Sequence, residues 1–132
     1  MKWYEDPVCI AAADCPEIQD GHVLEKGDKV YVKSKPQTVV DAVAQFFGGD
    51  QFVKVDDKII SEDRTVWLPD QSQLQAMSGL TWHDFDILCW SVTEEILERQ
   101  GNYPSKEMAG IRAIMSFKYN KVWSGSKWEI EN

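Results

Sequence analysis

Apolar positions recur at two spacings along this chain of 132 residues, and the change from one to the other falls at Pro69. Before it the pattern is short and strand-like. Lys29-Val30-Tyr31-Val32-Lys33 alternates polar and apolar with the period of a half-buried strand, and lysines on its outer face read as the protection of a sheet edge. Residues 51–68 read as a meander of three strands: Phe52-Val53-Lys54-Val55, a segment around Ile59-Ile60, and Arg64 to Leu68. Their turns are expected at Asp56-Asp57 and Glu62-Asp63. The stretch from Gln37 to Phe47 fits both periods. Thr38-Val39-Val40 is β-branched, but Val39, Val40, Val43, Phe46 and Phe47 also make a helical stripe, and a short helix ended by Gly48-Gly49 is the reading taken.

At Trp67-Leu68-Pro69-Asp70 the period changes. Proline cannot donate to a sheet ladder and holds Leu68 extended, so the strand ends there. Asp70 with Gln73 makes a capping box that starts a helix at Gln71 and runs to about Gly79. Thr81, three residues before Asp84, caps a longer helix to about Gln100, in which Phe85, Leu88, Cys89, Val92 and Ile96 follow a buried face. Gly101-Asn102 stops it. Pro104-Ser105 begins a further helix, carrying Met108, Ile111, Ile114 and Met115, to Tyr119, with Asn120 as a left-handed C-cap. Residues 121–130 then form a hairpin turning at Ser124-Gly125, with Trp123 and Trp128 on its two arms. At the other end of the chain Asp6 caps a helix with Pro7 in its first position, which Pro16 breaks.

Strands before Pro69 and helices after it predict an α+β fold. A small antiparallel sheet over about residues 28–68 is expected to pack against the C-terminal helices in one domain, residues 1–132. No apolar run is long enough to span a membrane, and the N-terminus lacks the basic and apolar regions of a signal peptide, so a cytoplasmic, soluble protein is expected. Cys9, Cys15 and Cys89 are an odd count without framework spacing, which fits buried free thiols in a reducing compartment.

The net charge is −8, which opposes direct nucleic-acid binding. Its distribution is more informative. From Asp70 to Glu98 there are six acidic residues and no Lys or Arg, and from Arg99 to Lys127 six basic residues and one acid, Glu107. Two neighbouring helices of complementary charge are one reading; an acidic face that recruits a basic protein is the other.

Little in the chain carries chemistry. No nucleophile has a motif around it, His83 beside Asp84 and Asp86 has no nucleophile to serve, and the cysteines and histidines lack zinc-ligand spacing. Glu94 and Glu98, one turn apart, are the candidate metal ligands of an alternative reading: a small Mg-dependent enzyme acting on nucleotides. That site needs a second acidic pair on a facing helix, where only Glu107 is available. The tryptophans suit contact surfaces better than stacking on single strands, which requires a basic groove.

The segments Pro16-Glu17-Ile18-Gln19, Trp67-Leu68-Pro69-Asp70-Gln71-Ser72-Gln73-Leu74-Gln75, Lys106-Glu107-Met108 and Lys118-Tyr119-Asn120-Lys121-Val122-Trp123-Ser124-Gly125-Ser126-Lys127-Trp128 occur in an order that resembles small uncharacterised phage and prophage proteins of Gram-positive bacteria. The match covers about a fifth of the residues and departs at Ile111-Arg112-Ala113-Ile114, where those proteins have more aromatic residues. The resemblance implies a mobile-element origin and a setting inside the host cell, and brings no activity and no catalytic residues. The leading expectation is therefore a non-enzymatic binding protein without a cofactor, with a protein partner for which a basic protein is the candidate. Trp67, Trp82, Trp123, Trp128, Asp84 and Asp86 are its candidate contact residues.

Overall fold

The computed structural model of the chain describes residues 3–20, 22, 28–33, 39–41, 44–47, 50–55, 58–61 and 65–131. The class is α+β, and the chain divides into two compact units, Met1–Leu68 and Pro69–Asn132.

In the first unit a short 3-10 turn, Trp3–Glu5, leads into helix α1 (Pro7–Ala13). The Asp6 carboxylate accepts from the Val8 N–H at 3.0 Å, and Pro7 occupies the first turn, where its missing N–H costs nothing. Pro16 opens a separate short helix, α2 (Pro16–Gln19). Six strands follow: β1 (Lys29–Val32), β2 (Val39–Asp41), β3 (Ala44–Phe47), β4 (Asp50–Val55), β5 (Lys58–Ser61) and β6 (Thr65–Leu68). They form two antiparallel sheets, ordered β2-β1-β6 and β3-β4-β5. Strand β1 pairs Val30 with Val40 on one side and with Trp67 on the other.

Three expectations change here. Residues 39–41 and 44–47 are strands rather than part of a helix, because each finds a partner, β1 for the first and β4 for the second. Ladder pairing of β-branched and aromatic residues outweighs an ambiguous helical stripe. Strand β1 is central rather than an edge. Its alternation holds, with Val30 and Val32 buried, but side-chain alternation reports the two faces of a sheet and says nothing about its in-plane neighbours. The meander is displaced by one strand, since β6 leaves β5 and pairs with β1. The helix end expected at Gly48-Gly49 and the turns expected at Asp56-Asp57 and Glu62-Asp63 lie outside the described residues.

Strand β6 packs against α1, and all four of its residues are buried. It is the edge of its sheet, and the amide of Gln19 covers that edge. Gln19 Nε2 donates to the carbonyls of Ala13 and Trp67, both at 2.8 Å, while its Oε1 accepts from the Trp67 N–H, also at 2.8 Å. The His22 ring lies flat on the Trp67 indole, 3.4 Å between centroids, and its Nε2 is 2.8 Å from the buried Asp28 carboxylate.

The second unit is three helices and a hairpin. Helix α3 (Gln71–Ser78) starts on the capping box: Asp70 Oδ1 accepts from the Gln73 N–H, and Gln73 Oε1 accepts from the Asp70 N–H, both at 2.9 Å. Helix α4 (Trp82–Gln100) is capped by Thr81 and ends on left-handed Gly101; α5 (Lys106–Tyr119) is capped by Ser105 and ends on left-handed Asn120. Both α3 and α4 pack on α5, whose buried residues include Met108, Ile111, Ile114 and Met115. The helices approach closely at Gly110, where an added Cβ would stand 2.9 Å from Leu74 Cδ1 and 3.3 Å from Phe85 Cζ. Lys118 Nζ donates to the Met77 carbonyl at 2.9 Å, satisfying one orphan acceptor at the end of α3.

The hairpin pairs β7 (Lys121–Trp123) with β8 (Trp128–Ile130) and sets Trp123 opposite Trp128. It is tied at its base, where the Glu131 N–H donates to the Asn120 carbonyl at 2.9 Å and Asn120 Nδ2 donates to the Glu131 carbonyl at 3.1 Å. Among the described residues, no helix is long and apolar enough to cross a membrane.

Candidate functional site

Helix α4 sets one side of the second unit's surface. Trp82, Asp86 and Trp90 are spaced four residues apart and so line up on one face. Trp82 is 46 % exposed and Trp90 59 %, with Ile87 beside them at 56 %. Large apolar groups left this open on one helix are the informative kind of exposure. A groove of about 490 Å³ runs along this face, walled by Trp82, Asp86, Trp90 and Thr93 of α4 and by Lys106 and Ala109 of α5. Gln71 also lines it, and its Oε1 is buried without a hydrogen-bond partner. Cys89 sits at the bottom, and burial, then the Asp86 carboxylate, push its thiol up to about 11, so it is neutral and unreactive at physiological pH.

Helix α4 also carries carboxylates, of which Asp86 lines this groove. Asp84, Asp86, Glu94, Glu95 and Glu98 are all exposed. The ion pair recorded on α4 is internal, Glu95 to Arg99 at 3.1 Å; among the described residues none joins α4 to α5. Complementary charge on neighbouring helices therefore does not act here as a clasp between them, consistent with the small worth of exposed pairs.

A second groove, of about 470 Å³, lies where α4 and α5 meet the hairpin, lined by Arg99, Arg112, Lys121, Trp123 and Trp128 among others. The two indoles meet edge to face, 5.0 Å between centroids, and Trp123 Nε1 is buried without a hydrogen-bond partner. Arg112 is half-buried, and burial draws its guanidinium below the usual range; Glu95 opposes that shift and Arg99 adds to it.

The expected contact residues thus separate into three places. Trp82, Asp84 and Asp86 share the first turns of α4, with Trp82 and Asp86 lining the first groove. Trp123 and Trp128 come together in the second. Trp67 belongs to the first unit and is only 3 % exposed, held by Gln19 and His22. Glu94 and Glu98 are exposed on α4, and among the described residues no group of three or more His, Cys, Asp or Glu could hold a metal. His83 is likewise exposed. The sequence reading did not place Trp90 among the contact residues, although it continues the spacing of Trp82 and Asp86, and it missed Arg112, whose situation depends on its neighbours.

No protein family, no curated protein and no solved structure matches this chain.

Proposed function

We propose that the protein is a non-enzymatic binding module that presents the Trp82–Trp90 face of α4 to a basic protein segment. One observation carries this reading: two tryptophans and an isoleucine, each about half exposed, lie on a helix that also exposes five carboxylates and, at its end, one arginine. Aromatic anchors in a groove supply the large apolar contact, and surrounding acidic groups select a cationic partner and speed its encounter. An amphipathic helix with apolar residues on one side and Lys or Arg on the flanks has the complementary chemistry. The resemblance to phage and prophage proteins supports a mobile-element origin and a place in the host cytoplasm, where the partner would be met.

The test is photo-crosslinking from a probe placed at Ile87 in host lysate, comparing the wild type with Trp82→Ala/Trp90→Ala. The expected product is a basic protein whose yield falls at high salt and is lost in the double variant. Identical products and yields from the two proteins would remove α4 as the binding face.

A further inference from the structure

We propose that the groove between α4, α5 and the hairpin is a small-molecule site for a ligand with one oxyanion group, a carboxylate or a phosphate monoester, and one flat ring, with Arg112 holding the oxyanion and the Trp123–Trp128 pair meeting the ring. The three cations lining the groove are not equivalent. Arg99 is committed to Glu95 at 3.1 Å, and Lys121 has an interaction of its own. Arg112 makes no hydrogen bond or ion pair with any described residue, although it is half-buried, with the Glu95 carboxylate and the Arg99 guanidinium both near enough to act on it through space. A guanidinium brings five donors in a planar fork, and leaving them unmet while partly desolvated is unfavourable. A carboxylate or phosphate accepting two of them would reverse that, in the geometry Arg suits best.

The wall opposite supplies the rest of the ligand. Trp123 and Trp128 are each part-exposed, and their edge-to-face contact leaves aromatic surface to receive a ring. The buried Trp123 Nε1–H lacks an acceptor, so a small shift of the hairpin would offer one more donor. Glu95, Glu129 and Glu131 also line the groove, three carboxylates against three cations. That balance sets specificity: a polyphosphate meets repulsion, and one oxyanion does not. A volume of about 470 Å³ suits a ligand of mononucleotide size.

Two sources share this chemistry, a nucleoside monophosphate and an aromatic carboxylic acid, and the titrations separate them. Tryptophan fluorescence and the Trp123 indole N–H resonance are followed on adding adenosine monophosphate, 4-hydroxybenzoate, adenosine, inorganic phosphate and adenosine triphosphate. One of the first two should bind with a Kd below about 1 mM and shift the indole resonance, with adenosine, phosphate and the triphosphate each weaker by about tenfold. Arg112→Gln should weaken that binding by about tenfold or more and Arg112→Lys by less, with unchanged far-ultraviolet spectra. If Arg112→Gln fails to fold, the wild-type indole shift and the ligand ranking decide the matter. No binding of either ring-bearing oxyanion, or binding that Arg112→Gln leaves within about twofold, overturns the proposal. The α4 face is untouched by these variants, so failure here leaves the crosslinking result independent.

Discussion

Gln19 treats Trp67 as a neighbouring strand would, returning one hydrogen bond to its N–H and one to its carbonyl, each at 2.8 Å, across 48 residues of chain. An edge strand exposes donors and acceptors that invite pairing with other chains, and this amide occupies a pair of them. Helix α2 and strand β6 are thus joined by a direct contact.

Gln19→Leu leaves a buried N–H and carbonyl unmet, and should lower stability by about 2 to 4 kcal/mol in urea unfolding. Gln19→Glu keeps the acceptor and turns the donor into a carboxylate facing the Trp67 carbonyl. It should also lose stability at neutral pH and regain part of it on acidification, when the protonated acid can donate. A Leu variant as stable as the wild type would mean that water serves the edge equally well.

Gly110 should tolerate no larger residue. Alanine improves helix propensity by about 1 kcal/mol, but its methyl would press on Leu74 and Phe85, both fully buried and unable to swing aside. Thermal unfolding should show Gly110→Ala slightly destabilised and Gly110→Val destabilised by about 3 kcal/mol, near the top of the usual overpacking range. A stabilised alanine variant would show that α3 and α5 can separate without cost.

The helix ends were legible because each is decided within four or five residues. Asp6, Asp70 and Thr81 cap where the sequence placed them, Ser105 caps the helix expected to begin at Pro104-Ser105, and Asn120 turns left-handed where the apolar stripe stops. Strand partners were not legible, since no local signal tells β6 to leave β5 for β1. Gly110 was a signal passed over: a glycine inside a helical stripe marks a close approach. Of the site, Trp82 was named as one of the tryptophans and Asp86 as one of the acidic residues, but the i, i+4 spacing that sets them and Trp90 on one face was not drawn from the sequence. Arg112 could not be read in this way, because its half-burial and its closeness to Glu95 and Arg99 depend on how α4 and α5 pack.

The buried thiols give the chain an alkaline limit. Burial raises both Cys15 and Cys89 from 9.0 to about 11, so the fold holds these protons more tightly than the unfolded chain does. That contribution to stability is fully present below pH 9 and is lost as pH rises through the window from 9 to about 11. The unfolding midpoint should fall across that window, and fall less in Cys15→Ala/Cys89→Ala. At about pH 8 each thiol carries roughly a hundredfold less thiolate than a free one, so a disulfide-exchange reagent should modify them rapidly only in denaturant. Fast labelling of the native protein would place a thiol at the surface.

Trp67 decides whether the junction between sheet and helix is structural. Its indole is 3 % exposed, stacked under His22, and its Nε1 has no hydrogen-bond partner. Truncation to alanine should cost about 3 to 5 kcal/mol, a large share of the stability of a domain this size, by removing a buried ring and its stacking partner together. Trp67→Phe should cost much less than such a ring usually does, because the N–H it removes is already unsatisfied and its loss relieves a penalty. The Trp67 backbone keeps its bonds to Gln19 in both variants, so the pair isolates the side chain. Urea unfolding of wild type, Trp67→Ala and Trp67→Phe is the measurement, read beside the crosslinking yield from α4. An alanine variant that keeps its stability but loses the crosslink would move the binding site from Trp82 and Trp90 to Trp67. An unstable alanine variant beside a stable phenylalanine variant that still crosslinks leaves α4 as the face that binds.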